Sequence, residues 1–90
     1  MAEDSHLVEY YGTECIHCNE MAPIIAQVEE ELGVELVRKE CWHNSANQAE
    51  FMKEAEGKCM GVPFFINKKT GKFICGATTY EKFKEWAQDK

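Results

Sequence analysis

Cys15-Ile16-His17-Cys18 is the segment best equipped for chemistry. Two cysteines at this spacing can close a disulfide, or attack one as thiolates. They can also supply half of a tetrahedral zinc site. His17 lies between them and can donate to the Cys15 sulfur or place positive charge beside it. That would favour the dithiol and make the disulfide a better oxidant. The plainer reading of His17 is a solvated surface histidine. The other candidate metal ligands, Cys41 and His43, are spaced Cys-x-His, which is not a common zinc spacing.

The elements around the pair decide between these chemistries. Residues 6–11 (His-Leu-Val-Glu-Tyr-Tyr) form a β-branched and aromatic run suited to a strand, broken by Gly12-Thr13-Glu14. Ile16, Met21, Ile24, Ile25, Val28 and Leu32 then recur at helical spacing, and Gly33 follows as a C-cap, which predicts a helix over residues 15–32. Cys15 therefore stands at a helix N-terminus, where unpaired N–H groups and partial positive charge favour a thiolate. Cys18, one turn in, would lie beside it as the more buried, resolving thiol. A strand-to-helix junction favours the redox reading over the metal one.

Further along, residues 34–41 predict a second strand around Leu36 and Val37. Asn44-Ser45 starts a helix that runs through residues 46–55, with Phe51 and Met52 as apolar anchors, and Gly57 ends it. Residues 62–66 form a compact apolar run that reads as a buried strand. A turn at residues 67–71 leads to an antiparallel return strand over residues 72–75. Thr78 or Thr79 caps a last helix with Tyr80, Phe83, Trp86 and Ala87 on one face. The order β-α-β-α-β-β-α implies an α/β fold: one four-stranded mixed sheet flanked by helices.

With 90 residues, the chain is read as one domain over residues 1–90. Apolar residues make up 44% and charged residues 29%, as in ordinary globular proteins. The net charge of −6 argues against nucleic acid and anionic membrane surfaces as partners. No run approaches a membrane span, and the first six residues lack the basic and apolar regions of a secretory leader. Five cysteines, an odd count, do not suit a fully paired framework, so a reducing, cytoplasmic setting is expected. Cys75 is read as core and Cys41 as a strand-end thiol. Cys59, just before Met60-Gly61-Val62-Pro63, stands where a mixed disulfide or glutathionylation is conceivable; for all three, simple packing is the favoured reading. Trp42 and Trp86 are read as core or edge aromatics, His6 and His43 as solvated, and residues 29–31 (Glu-Glu-Glu) as a solvated helix end.

Residues 8–18 resemble the active-site strand and helix start of thioredoxins. Met21-Ala22-Pro23 resembles their proline-kinked helix segment, Gly61-Val62-Pro63 the cis-proline loop facing the cysteines, and Gly76-Ala77 the turn before the last helix. These motifs cover nearly the whole chain in the right order. The resemblance implies a minimal thioredoxin-like fold and thiol–disulfide exchange through Cys15 and Cys18. It implies a cis bond at Pro63, a backbone at Val62 that pairs with a substrate strand, and a substrate-binding edge of Ile16, Val62, Pro63 and Gly76. It makes Glu9 the buried acid behind the second cysteine, relaying a proton to and from Cys18. Lys39, near the inner end of the second strand, is placed by its position there as a candidate partner for Glu9.

The sequence departs from that family in several ways. It lacks room for an extra strand and helix ahead of the active-site strand, and its length and order look more like glutaredoxin. Glu14 stands where thioredoxins carry Trp, and an acid there opposes thiolate formation at Cys15. The Ile-His dipeptide resembles that of protein disulfide isomerases in placing histidine next to the second cysteine, which leaves the direction of exchange open. A site for the carboxylates of glutathione is not evident. The expected partners are disulfide-containing proteins and a reductase or small thiol as electron donor, with no cofactor and no bound metal, in a monomer. Two alternatives stand beside this: a metal-binding module holding zinc or a bridged iron–sulfur cluster, and a redox-inert domain docking peptides at the Pro63 edge.

Overall fold

The computed structural model describes residues 6–88. Its elements run β1 (Leu7–Tyr11), α1 (Ile16–Leu32), β2 (Val37–Glu40), α2 (Ser45–Glu54), β3 (Phe64–Asn67), β4 (Phe73–Cys75) and α3 (Tyr80–Gln88). The sheet order is β2-β1-β3-β4. β1 pairs parallel with β2, and α1 supplies the crossover that a parallel pair requires. β1 and β3 are antiparallel, as are β3 and β4. This is the mixed four-stranded α/β arrangement that the sequence implies.

The strand sequences explain their positions. β1 and β3 read as nearly continuous apolar runs because helices cover both faces, and β3 is buried throughout. On one face Leu7 and Phe65 pack with Met21, Ile25 and Val28 of α1 and with Phe83, Trp86 and Ala87 of α3. Phe65, Phe83 and Trp86 meet at ring centroid distances of 5.1–5.8 Å, mostly edge to face. On the other face Val8, Tyr10, Phe64 and Ile66 pack with Cys41, Ala55 and Phe51.

The boundaries differ from expectation in two places. Val34 and Leu36 precede β2 rather than belonging to it: Leu36 is buried against the α1 face, and its N–H donates to Glu29 Oε2 at 2.8 Å. Met52 of α2 is exposed, leaving Phe51, half-buried, as the apolar anchor. The acidic run at the end of α1 is also more than a solvated face. Glu29 holds Leu36, and Glu31 accepts from Tyr80 Oη and pairs with Lys84, which ties α1 to α3.

Candidate active site

The turn after β1 delivers Cys15 to the start of α1. Cys15 N–H donates to Gly12 O at 3.1 Å, and Cys15 is the N-cap of the helix. Its sulfur takes the place of the usual capping oxygen, accepting from Cys18 N–H at 3.1 Å. Cys15 and Cys18 are joined by a disulfide with Cα atoms 5.2 Å apart. Both are buried, Cys18 more completely than Cys15, at 1% against 6% exposure.

Facing the disulfide is the segment that enters β3. The Val62–Pro63 bond is cis and Pro63 is buried. Cys15 Sγ lies 3.7 Å from the carbonyl oxygen of Val62. Gly76, at φ 89° where only glycine is unstrained, donates its N–H to Pro63 O at 2.8 Å. Thr78 N–H reaches Met21 Sδ at 3.4 Å, which ties the stretch after β4 to α1. The structure thus brings Cys15, Cys18, Val62, Pro63 and Gly76 together. Ile16 follows Cys15 and is 72% exposed, a large apolar side chain left in solvent at the rim.

His17 takes the position of the plainer of its two readings, a solvated surface histidine. It is exposed, and its Nδ1 lies 3.1 Å from Glu20 Oε1. Its ring nitrogen is thereby engaged by a carboxylate one turn along the helix. Glu14 is likewise paired, with His43 Nε2 2.7 Å from its Oε1. This hydrogen bond and the charges of Glu14 and Glu40 raise the His43 pKa above its ordinary value. The pairing of His43 with Glu14 is not visible in the sequence, because the partners lie 29 residues apart.

Glu40 holds this corner in place. Its carboxylate accepts from Thr13 N–H at 3.0 Å, Thr13 Oγ1 at 3.1 Å and His43 N–H at 2.8 Å. Desolvation raises its pKa, but these hydrogen bonds outweigh it and the net shift is downward. Trp42 is half in solvent, and its indole lies so close over Gly12 that a Cβ there would overlap it.

Glu9 is fully buried on the α1 face of β1. Burial pushes its carboxyl above the usual range, against the pull of the Arg38 guanidinium. Arg38 Nε lies 2.6 Å from Glu9 Oε1, while Glu9 Oε2 has no hydrogen-bond partner. The guanidinium also sits 4.6 Å over the Tyr11 ring. Pairing with Lys39 is corrected by the strand register: Glu9 stands opposite Arg38, and Tyr10 opposite Lys39, so Lys39 emerges on the other face. There Lys39, Lys68 and the Tyr10 hydroxyl all bind the Glu50 carboxylate. Burial raises the Glu50 pKa, but its three donors outweigh that and bring it down to about 2.

The remaining cysteines divide. Cys41 is a buried free thiol whose pKa burial pushes up, and its S–H donates to Tyr11 O at 3.4 Å. Cys59 and Cys75 are joined in a second disulfide. The packing reading of Cys75 as core is thereby corrected: it is exposed on edge strand β4. Its register partner Phe64 belongs to the α2 face, so Cys75 projects to the side where Cys59 follows α2.

The thioredoxin family model matches residues 1–89. Among curated proteins no match is found. Solved structures share the fold, among them three thioredoxins. Fasciola hepatica thioredoxin aligns with a TM-score of 0.69 at 18% identity, over 93% of this chain and 79% of its own. Chlamydomonas reinhardtii thioredoxin f2 aligns at 0.67 and 24%, over 93% and 77%. Mitochondrial thioredoxin 3 from Saccharomyces cerevisiae, in its oxidised form, aligns at 0.64 and 19%, over 99% and 83%.

Proposed function

The chain belongs to the thioredoxin family and is a thiol–disulfide oxidoreductase, and from that premise we propose that Cys15 attacks disulfides of protein substrates and Cys18 resolves the product. The observation that carries this is the placement of the Cys15 sulfur at the N-terminus of α1, 3.7 Å from the Val62 carbonyl oxygen.

In the dithiol form, the helix N-terminus favours a thiolate at Cys15. The substrate lies as an extended strand along Val62, with Ile16, Pro63 and Gly76 forming the floor and rim of its site. The Cys15 thiolate attacks one substrate sulfur, and the other leaves with the electron pair and takes up a proton. Cys18 then loses its proton and attacks Cys15, releasing the second substrate thiol and closing the Cys15–Cys18 disulfide. Glu9 accepts the proton lost by Cys18. Its buried carboxyl, raised by desolvation, is suited to a base that ionises nearer neutrality than an exposed one. Arg38 positions Glu9 and limits that rise. A reductase or small thiol returns two electrons to the pair. A cytoplasmic, monomeric protein is part of the same proposal, since a dithiol donor works from a reducing compartment.

A zinc site within one chain fits less well, because the described residues contain no group of three or more His, Cys, Asp or Glu side chains placed to hold an ion.

The test is reduction of insulin disulfides by dithiothreitol, followed by turbidity. The wild-type protein should accelerate it, Cys15→Ser should abolish the acceleration, and Cys18→Ser should accumulate a mixed disulfide through Cys15. Glu9→Gln should slow release of that mixed disulfide while leaving its formation unchanged. Equal rates for wild type and Cys15→Ser would overturn the proposal.

A further inference from the structure

The Cys59–Cys75 disulfide lies outside the Cys15–Cys18 exchange and differs from a buried structural bridge in three respects. Cys75 is exposed, on a three-residue edge strand. Cys59 is half-buried, and its sulfur lies 3.2 Å from the Gly61 carbonyl oxygen. Both cysteines line an open cleft of about 480 Å³, together with Gly57, Lys58 and Met60. The cleft is large enough for a small peptide-sized ligand, and Lys58 gives it a cation.

We propose that Cys59–Cys75 is a second redox site, which exchanges with small acidic thiols of the glutathione class through attack at Cys75. Exposed disulfides are the labile and regulatory ones, whereas buried bridges resist reduction. Cys75, the more exposed residue of the two, offers the approach, while the sulfur of half-buried Cys59 is the leaving group. Lys58 attracts the carboxylate of the incoming thiol and the charge that develops on Cys59.

The exchange balances in two steps. A small-thiol thiolate bonds to Cys75 Sγ as the Cys59–Cys75 bond breaks. The electron pair leaves on Cys59, which takes up a proton, and its S–H then has the Gly61 carbonyl as acceptor. A second small-thiol thiolate attacks the outer sulfur of the adduct, forming the small-molecule disulfide and freeing Cys75, which is protonated. Two thiols are oxidised to one disulfide, and one protein disulfide is reduced to two thiols.

The position of the site ties it to the docking edge. Cys59 leads into Val62 and Pro63, and Cys75 directly precedes Gly76, which donates to Pro63 O. Reduction would release a cross-link between the two segments that frame Pro63.

The experiment equilibrates the wild-type protein in buffers of reduced and oxidised glutathione, then traps free thiols by alkylation and maps peptides by mass. Cleavage after lysine and arginine puts Cys59, Cys75, Cys41 and the Cys15–Cys18 pair on four different peptides, so each disulfide is read separately. The expected result is loss of the Cys59–Cys75 disulfide as the buffer becomes reducing, with a glutathione adduct on the Cys75 peptide at intermediate poise. In Cys59→Ser the adduct on Cys75 should persist in the oxidising buffers where the wild-type pair closes, because no Cys59 thiol is left to displace the small thiol. A Cys59–Cys75 bond that stays closed in fully reduced buffer would make it a structural bridge and overturn the proposal. Adducts confined to Cys59 would overturn it as well, and so would failure of the pair to close in oxidised buffer. The wild-type measurement stands even if Cys59→Ser does not fold. Failure here leaves the Cys15–Cys18 reading intact, since that pair reports on its own peptide.

Discussion

Arg38 Nε stands 2.6 Å from one carboxylate oxygen of Glu9, and the other oxygen is buried without a hydrogen-bond partner. The pair joins the edge strand β2 to the central strand β1 directly beneath the helix that carries the cysteines. It leaves Glu9 half-compensated, a state in which small changes of charge matter.

Burial raises the Glu9 carboxyl above its ordinary value of 4.5. The folded chain therefore holds this proton more tightly than the unfolded chain. The resulting stability is fully present below the unfolded pKa and is lost as pH rises through the folded pKa. Glu9→Gln cannot ionise, so its stability relative to wild type should climb with pH from about 4.5 and level off above the folded value. Urea unfolding from about pH 4 to about pH 9 measures this difference, and a flat one would contradict it. Arg38→Met should cost about 1–2 kcal/mol at neutral pH and less in acid, where Glu9 no longer needs a cation.

Glu50 has the opposite sign. Its three donors bring it from 4.5 down to about 2, although burial acts the other way. A depressed carboxyl contributes stability above its unfolded pKa, and that contribution is lost as pH falls through the folded pKa. Tyr10→Phe removes one of the donors and should destabilise the fold by about 1–2 kcal/mol at neutral pH. That cost should shrink as the pH falls from 4.5 toward about 2. Unfolding curves for both proteins across this range check it. A cost independent of pH would point to ring packing rather than to the hydrogen bond.

Glu14 adjoins the nucleophile but is paired with His43, whose pKa that pairing raises. Below the raised His43 pKa the imidazolium offsets the acid. His43→Ala leaves the carboxylate uncompensated, so alkylation of reduced Cys15 should slow by up to about fivefold, the reach of a solvated pair. Glu14→Gln should speed it. Rates of iodoacetamide labelling, read on the Cys15 peptide, distinguish these outcomes from no effect.

Gly12 is buried beneath the Trp42 indole, where a Cβ would overlap the ring. Gly12→Ala should displace that ring and cost about 1–3 kcal/mol. In a Trp42→Ala background the same substitution should cost much less, and a double-mutant cycle gives the coupling directly. Equal costs in both backgrounds would locate the strain in the turn itself.

The order of elements is legible in the sequence because each element carries its own period: alternating or continuous apolar runs for strands, helical spacing for α1 and α3. The Cys15–Cys18 pair is legible because local position sets it at a helix start, and the buried Glu9 because the resemblance to thioredoxins implies an acid at that place on the strand. What is not legible depends on register between strands. Arg38 and Lys39 are neighbours in sequence, and only the β1–β2 pairing decides which one meets Glu9. The same holds for Cys75, whose side follows from its pairing opposite Phe64, and for Cys59, which reaches it across a sequence separation of 16. His43 and Glu14 meet because Glu40 anchors both of their segments. The acidic run of residues 29–31 looks like solvated surface in sequence, and only the fold gives it partners, the Leu36 N–H for Glu29 and Tyr80 and Lys84 of α3 for Glu31.

The sheet order separates two kinds of heritable change. The nucleophile follows β1 and Pro63 precedes β3, the two central strands, whose side chains fill both cores. Arg38 and Glu40 lie on the outer strand β2, and Cys75 on the outer strand β4. A lineage can therefore replace the groups that adjust the acid, the turn and the second disulfide at half-buried or exposed positions, while the residues that make the reaction possible stay under the constraint of the core. Divergence in chemical temperament would accumulate at the margins of this sheet long before the fold recorded it.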